Sequence, residues 1–221
     1  MVFFKTSAYV IAQQGAQHRS LRSLGRRKAP PVSTALGPKM ISAGYMAKIV
    51  ERSPEWLAAP NVNDIYSVST CISNDFADYI NYWQHNGYWL FDNPEIIRRI
   101  AKQNSIKLDN AQLFYYEIYE YQFDEIAREW KAFTPESSFV LDVKKPVSPS
   151  LEGFDVVSFS AGTSSECSPL SCNSLSEQIQ TNTHCLLSTL EEAKKLLEIG
   201  AFLECEPGPY RIFSVYTLEW P

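Results

Sequence analysis

Residues 113–123, LFYYEIYEYQF, run without a glycine or proline and are dominated by aromatic side chains. Side chains of this kind fit a pleated, half-buried surface, so the segment predicts one long strand. Because successive side chains alternate across a strand, Tyr115, Glu117, Tyr119 and Tyr121 share one face, and Phe114, Tyr116, Ile118 and Glu120 take the other. Two uses fit this pattern. It is either a central strand with half-buried tyrosines and acids at its rim, or a contact surface on which rigid tyrosines and carboxylates meet a basic partner.

The remaining chain is punctuated as a folded domain from Pro54 onward. Residues 64–72 (DIYSVSTCI) read as a strand. Asn74 can cap a helix that places Phe76, Tyr79, Ile80 and Trp83 on one face, ending at Gly87. Asn93-Pro94-Glu95 opens a second helix, which buries Ile96, Ile97, Ile100 and Ala101 and frays near Asn104. Phe123, Ile126, Ala127 and Trp130 predict a short helix, and residues 138–143 and 154–159 predict strands. A Ser/Thr/Cys-rich loop fills 162–183, and a short strand follows at 185–187. Thr189-Leu-Glu-Glu192 is a capping box for a helix that turns Leu190, Ala193, Leu196 and Leu197 inward and stops at Gly200. Residues 210–218 form a closing strand. This order predicts a single α+β domain with a mixed or mainly antiparallel sheet and about four helices.

Charge divides the chain. Residues 1–50 contain no Asp or Glu, and they hold eight of the 20 bases: Lys5, Arg19, Arg22, Arg26, Arg27, Lys28, Lys39 and Lys48. Residues 51–221 are left with twelve bases against all 25 acids, a formal charge of −13. The expected organisation is a basic, flexible leader over 1–39 followed by an acidic globular domain over 40–221. A transit peptide or a nucleic-acid-binding arm fits the leader. The preferred expectation is an upstream start, with Met40 or Met46 as the true beginning. An acidic body disfavours nucleic acid and anionic membrane as partners and favours a basic protein. No apolar run reaches the roughly 20 residues of a membrane helix. Five cysteines, an odd number and with no secretory signal before them, suit reduced thiols and a cytoplasmic location.

No phosphate-binding glycine loop, GxSxG elbow or HExxH helix occurs, and no cofactor is expected. The chemistry-bearing residues gather late, as Cys167-x4-Cys172-x11-His184-Cys185, with Cys205 beyond. Cys172 and His184 would be the catalytic pair of a thiol enzyme, and Cys167, Cys172, His184 and Cys185 a zinc ligand set, though without a tight CxxC knuckle. Two functions follow. The first is a small acidic interaction protein of inhibitor or immunity type, contacting a basic partner through Tyr115, Glu117, Tyr119, Glu120, Tyr121, Asp124 and Glu125, with the acids exposed. The second is an enzyme built on the 167–185 segment.

Overall fold

The computed structural model describes residues 39–76, 86–133, 142–160 and 166–221. In chain order the elements are β1 (Met40–Ile49), β2 (Glu51–Arg52), β3 (Asp64–Ile65), β4 (Asn74–Asp75), α1 (Pro94–Gln103) and β5 (Gln112–Asp124). They continue with β6 (Glu129–Ala132), β7 (Ser150–Ser158), α2 (Pro169–Cys172), α3 (Leu190–Ile199) and β8 (Tyr210–Leu218), and a 3-10 turn, Leu175–Glu177, separates α2 from α3.

The aromatic segment is β5, and it is the spine of the fold. β1 and β8 flank it, β4 lies outside β1 and β7 outside β8, while β6 pairs with its far end. Every pairing is antiparallel, so the domain is α+β with a curled antiparallel sheet. β2 and β3 form a separate two-stranded ribbon. Isolated bridges lie along the two outermost long strands: Tyr45 to Phe91 beside β1, and Phe154 to Leu187 and Ser158 to Cys167 beside β7.

Two cores pack around the sheet. One gathers Met46, Phe114, Tyr116, Phe213 and Val215 with Ile97, Ile100 and Ala101 of α1. The other gathers Val156, Tyr210 and Ile212 with Leu190, Ala193 and Leu197 of α3. The helix ends follow the expected chemistry. Asn93 accepts from the Ile96 amide at 3.1 Å and Thr189 from the Glu192 amide at 3.1 Å. Glu192 reaches back to the Ser188 amide, and Gly200 closes α3 at φ +82°.

Several expectations are corrected. The helix over 123–130 is a β-hairpin: Phe123 sits opposite Trp130, with ring centroids 5.1 Å apart, and Arg128 turns the chain at φ +56°. The expected contact exists, but Asp124 captures the Ala127 amide and favours the turn. Only residues 64–65 of the strand expected over 64–72 are a strand, because side chains take up the backbone groups of the following residues. Asn74, expected as a helix cap, and Asp75 are strand residues that pair with Ile49 and Lys48 of β1. The loop over 162–183 contains α2 and the 3-10 turn, and β1 was not expected. Residues 1–38, the helix residues Tyr79, Ile80 and Trp83, and most of the strand over 138–143 lie outside the described residues.

Gly153 sits at a register shift in β7 with φ +152°, and a Cβ there would lie 2.7 Å from the Leu187 carbonyl oxygen and 2.8 Å from Leu186 Cβ. Gly153→Ala should therefore destabilise the domain by about 2 kcal/mol through overpacking and backbone strain. The measurement is the urea midpoint, expected to fall with an unchanged slope.

Candidate functional site

The segment after β3 is pinned from three directions. Lys48 of β1 is wholly buried, and its ammonium donates to the carbonyls of Val68 and Ser69, both at 2.9 Å, while pairing with Asp75 at 3.0 Å. Three donors thus meet three acceptors, the condition under which a buried ammonium is tolerable. Asp155 of β7 accepts from the Val68 amide at 2.8 Å and from the Ser168 hydroxyl at 2.6 Å. Ser168 in turn accepts from the Ser69 amide at 3.2 Å. This network fixes residues 67–73 against the start of α2.

The consequence is a convergence of thiols. Cys71 on the pinned segment, Cys167 at the bridge to Ser158 and Cys172 at the end of α2 place their sulfurs within 4.8 Å of one another. Cys167 is buried and Cys172 partly so, whereas Cys71 is exposed. Cys167 also meets the Asn173 side-chain oxygen at 3.4 Å, and Cys172 approaches the Ser69 hydroxyl at 3.8 Å. The other two thiols donate toward Cys71 and hold it far below the usual thiol range, at about 3, with smaller help from Ser69 and Lys48. Cys167, donor to both neighbours and buried, is raised. Cys172 receives from Cys167, but its donation to Cys71 and its burial lift it to about 11. Cys71 also lies 2.8 Å from the Glu166 carbonyl, a contact of the thiol form that ionisation would give up. Two sulfur donors against this single acceptor set the downward direction.

The same network includes a group of buried polar side chains. Burial raises Asp75 despite Lys48, and it raises Asp155 to about 6 despite Ser168 and Val68. Among the described residues the Tyr116 hydroxyl has no hydrogen-bond partner, and it is raised by burial and by both aspartates.

Of the residues expected to hold zinc, Cys167 and Cys172 come together. His184 instead stacks on Tyr66 at 4.2 Å, with its Nδ1 3.7 Å from Asp64 and its Nε2 3.5 Å from Glu152. Cys185 is a buried thiol directed at the Leu170 carbonyl and pushed by burial to about 12. Cys71 takes the place left in the cluster, and no spacing pattern marks it. Its serine-rich neighbours, read as a strand, were the only signal.

The expected contact face is turned inward at its first three positions. Tyr115, Glu117 and Tyr119 are buried, which corrects the expectation that Glu117 is exposed. Glu117 pairs with Lys145 at 2.6 Å and accepts from Tyr216 at 2.8 Å and Tyr115 at 3.3 Å. Tyr119 packs edge-on to Trp130, with the Lys194 ammonium 5.4 Å from its ring. Glu120, Tyr121, Asp124 and Glu125 are half-buried. Asp124 bonds Lys131 and the Ala127 amide, and Glu125 bonds the Gly208 amide.

Among the described residues, no helix is long and apolar enough to cross a membrane. No protein-family model, curated protein or solved structure matches the chain.

Asp155 supplies a pH test. Its carboxyl keeps its proton to about pH 6 when folded but only to its ordinary 3.8 when unfolded. The unfolded chain therefore loses the proton first, and stability falls as pH rises from about 4 to about 6, then levels. A shift of that size corresponds to roughly 3 kcal/mol. Asp155→Asn should flatten much of this fall in Tm; Asp75, shifted the same way, retains the remainder. A slope as steep as in the wild type would remove Asp155 as its cause.

Proposed function

We propose that this protein binds a thiophilic metal ion of the zinc class through the thiolates of Cys71, Cys167 and Cys172. The observation that carries the reading is the meeting of three sulfurs from three separate segments within 4.8 Å. Zinc–sulfur bonds of about 2.3 Å place tetrahedral thiolates about 3.8 Å apart, so binding needs only a modest contraction of the cluster. The charge balance also suits a cation. Thiolates replace thiols as metal binds, releasing protons, and the Lys48 ammonium favours negative charge on Cys71. Cys71 is exposed, so an ion held there would meet solvent at its fourth position. Three protein ligands with an open fourth position is the arrangement of zinc sites that act on a bound water or ligand.

The second reading, an inhibitor-type interaction protein that masks a basic partner, draws support from the half-exposed acids of the β5–β6 hairpin. Glu120, Asp124 and Glu125 lie there with Tyr121, and Glu129, exposed at the start of β6, pairs with Lys131 at 3.3 Å. Glu120 and Glu129 are the members whose reversal to lysine should abolish salt-sensitive binding of a basic protein while leaving the fold intact.

The metal reading is tested by titrating reduced, metal-free protein with Cd²⁺ and following thiolate-to-metal charge-transfer absorption. Saturation at one equivalent is expected. Cys71→Ser and Cys172→Ser should each weaken binding at least about tenfold, the lower bound known for losing even an outer-sphere partner. Cys205→Ser, outside the cluster, should bind as the wild type does. A spectrum that stays flat through excess cadmium would overturn the assignment.

A further inference from the structure

The three sulfurs differ in how they meet solvent and in how firmly they are held. Cys71 is exposed, Cys172 is partly buried and Cys167 is 3 % exposed. Cys167 is clamped by backbone pairing, with the Ser158 amide donating to its carbonyl at 2.8 Å and the neighbouring Glu166 amide donating to Ser158 at 3.0 Å. Cys172 instead ends a helix of four residues, and Ser174 just beyond it adopts a left-handed conformation at φ +53°. Cys172 is held by a backbone hydrogen bond from its amide to the Ser168 carbonyl at 2.9 Å, and it lies nearer to solvent than Cys167.

We infer that Cys71 and Cys172 form a pair oxidised by hydroperoxides, whose closure to a disulfide dismantles the three-sulfur centre. The inference rests on the reading of these thiols as one metal-binding unit and adds its regulation. The Cys71 thiolate, the sulfur that incoming oxidant meets first, attacks the outer oxygen of a hydroperoxide. The O–O bond breaks, the sulfur loses two electrons to become a sulfenic acid, and the departing alkoxide takes up the proton that Cys71 released on ionising and leaves as alcohol. Cys172 then attacks the oxidised sulfur, the S–S bond forms, and the hydroxyl leaves as water with the Cys172 proton. From the free thiols, two thiols and one hydroperoxide thus give one disulfide, one alcohol and one water; from the metal-bound thiolates, the alkoxide and hydroxide leaving groups take their two protons from water. Cys167 alone remains as a thiolate, and a zinc-class ion held by one sulfur is released.

The experiment uses the full chain in two arms, one loaded with Zn²⁺ and one never exposed to metal, each treated with one equivalent of hydrogen peroxide. Disulfides are mapped by peptide mass spectrometry, and free zinc is followed with a chromogenic chelator. A Cys71–Cys172 bond in both arms is expected, with complete loss of bound zinc from the loaded arm and reversal by dithiothreitol. Cys185 and Cys205 should remain reduced. Absence of that bond from the metal-free arm overturns the pairing, whatever the zinc does. A bond to Cys167 in place of Cys172 overturns the assignment of the partner. A Cys71–Cys172 bond in protein that never takes up zinc upholds the pairing and overturns the metal reading alone.

Discussion

A single ammonium group, wholly out of water, sets the geometry on which the candidate site depends. Lys48 can occupy its place only because two carbonyls and a carboxylate converge on it. Withdrawing one partner from such a buried ion pair typically costs about 3–5 kcal/mol. That penalty is what holds residues 67–73 in a path their β-branched composition would not choose. With the carbonyls of Val68 and Ser69 given to Lys48 and their amides to Asp155 and Ser168, these two residues have no ladder to join. Cys71 is thereby carried to the sulfurs of Cys167 and Cys172.

A second buried charge is handled differently. Glu117 lies under the sheet, satisfied by two tyrosine hydroxyls and by Lys145, a residue whose own side chain is largely exposed. One tyrosine of the same strand, Tyr115, and one of the neighbouring strand, Tyr216, are the donors that make its carboxylate tolerable. A run of alternating tyrosine and glutamate therefore has two physical solutions, a wet recognition face or an inward polar seam. Composition alone does not separate them, since both need rigid rings with hydroxyl tips.

The frame was largely legible. β5, β7, β8, α1 and α3 follow from alternation, helical period and capping residues, and their caps are made by the residues expected to make them. What escaped depends on distant partners. β1, with glycine and alanine in its middle, has little strand character of its own and is a strand because β5 pairs along it. The β5–β6 hairpin shares its apolar spacing with a short helix, and a local aspartate cap decides between them. Two of the three thiols of the centre, Cys167 and Cys172, were visible. Its third member was not, because the link to Cys71 runs through a lysine and an aspartate whose burial no local pattern announces.

A sheet so rich in tyrosine, phenylalanine and isoleucine would be hazardous with bare margins, because unpaired amides and carbonyls template the addition of further strands. Here the two outermost long strands have part of their free sides occupied by Phe91, Leu187 and Cys167, which belong to segments too short to extend a ladder. The hairpin strand β6 carries Glu129 and Lys131, charges that disfavour stacking of a neighbour. The bridge at Cys167 thus has a second consequence: the residue that anchors the thiols also shields the sheet from self-association, so loosening that corner would expose a sticky edge together with a reactive sulfur.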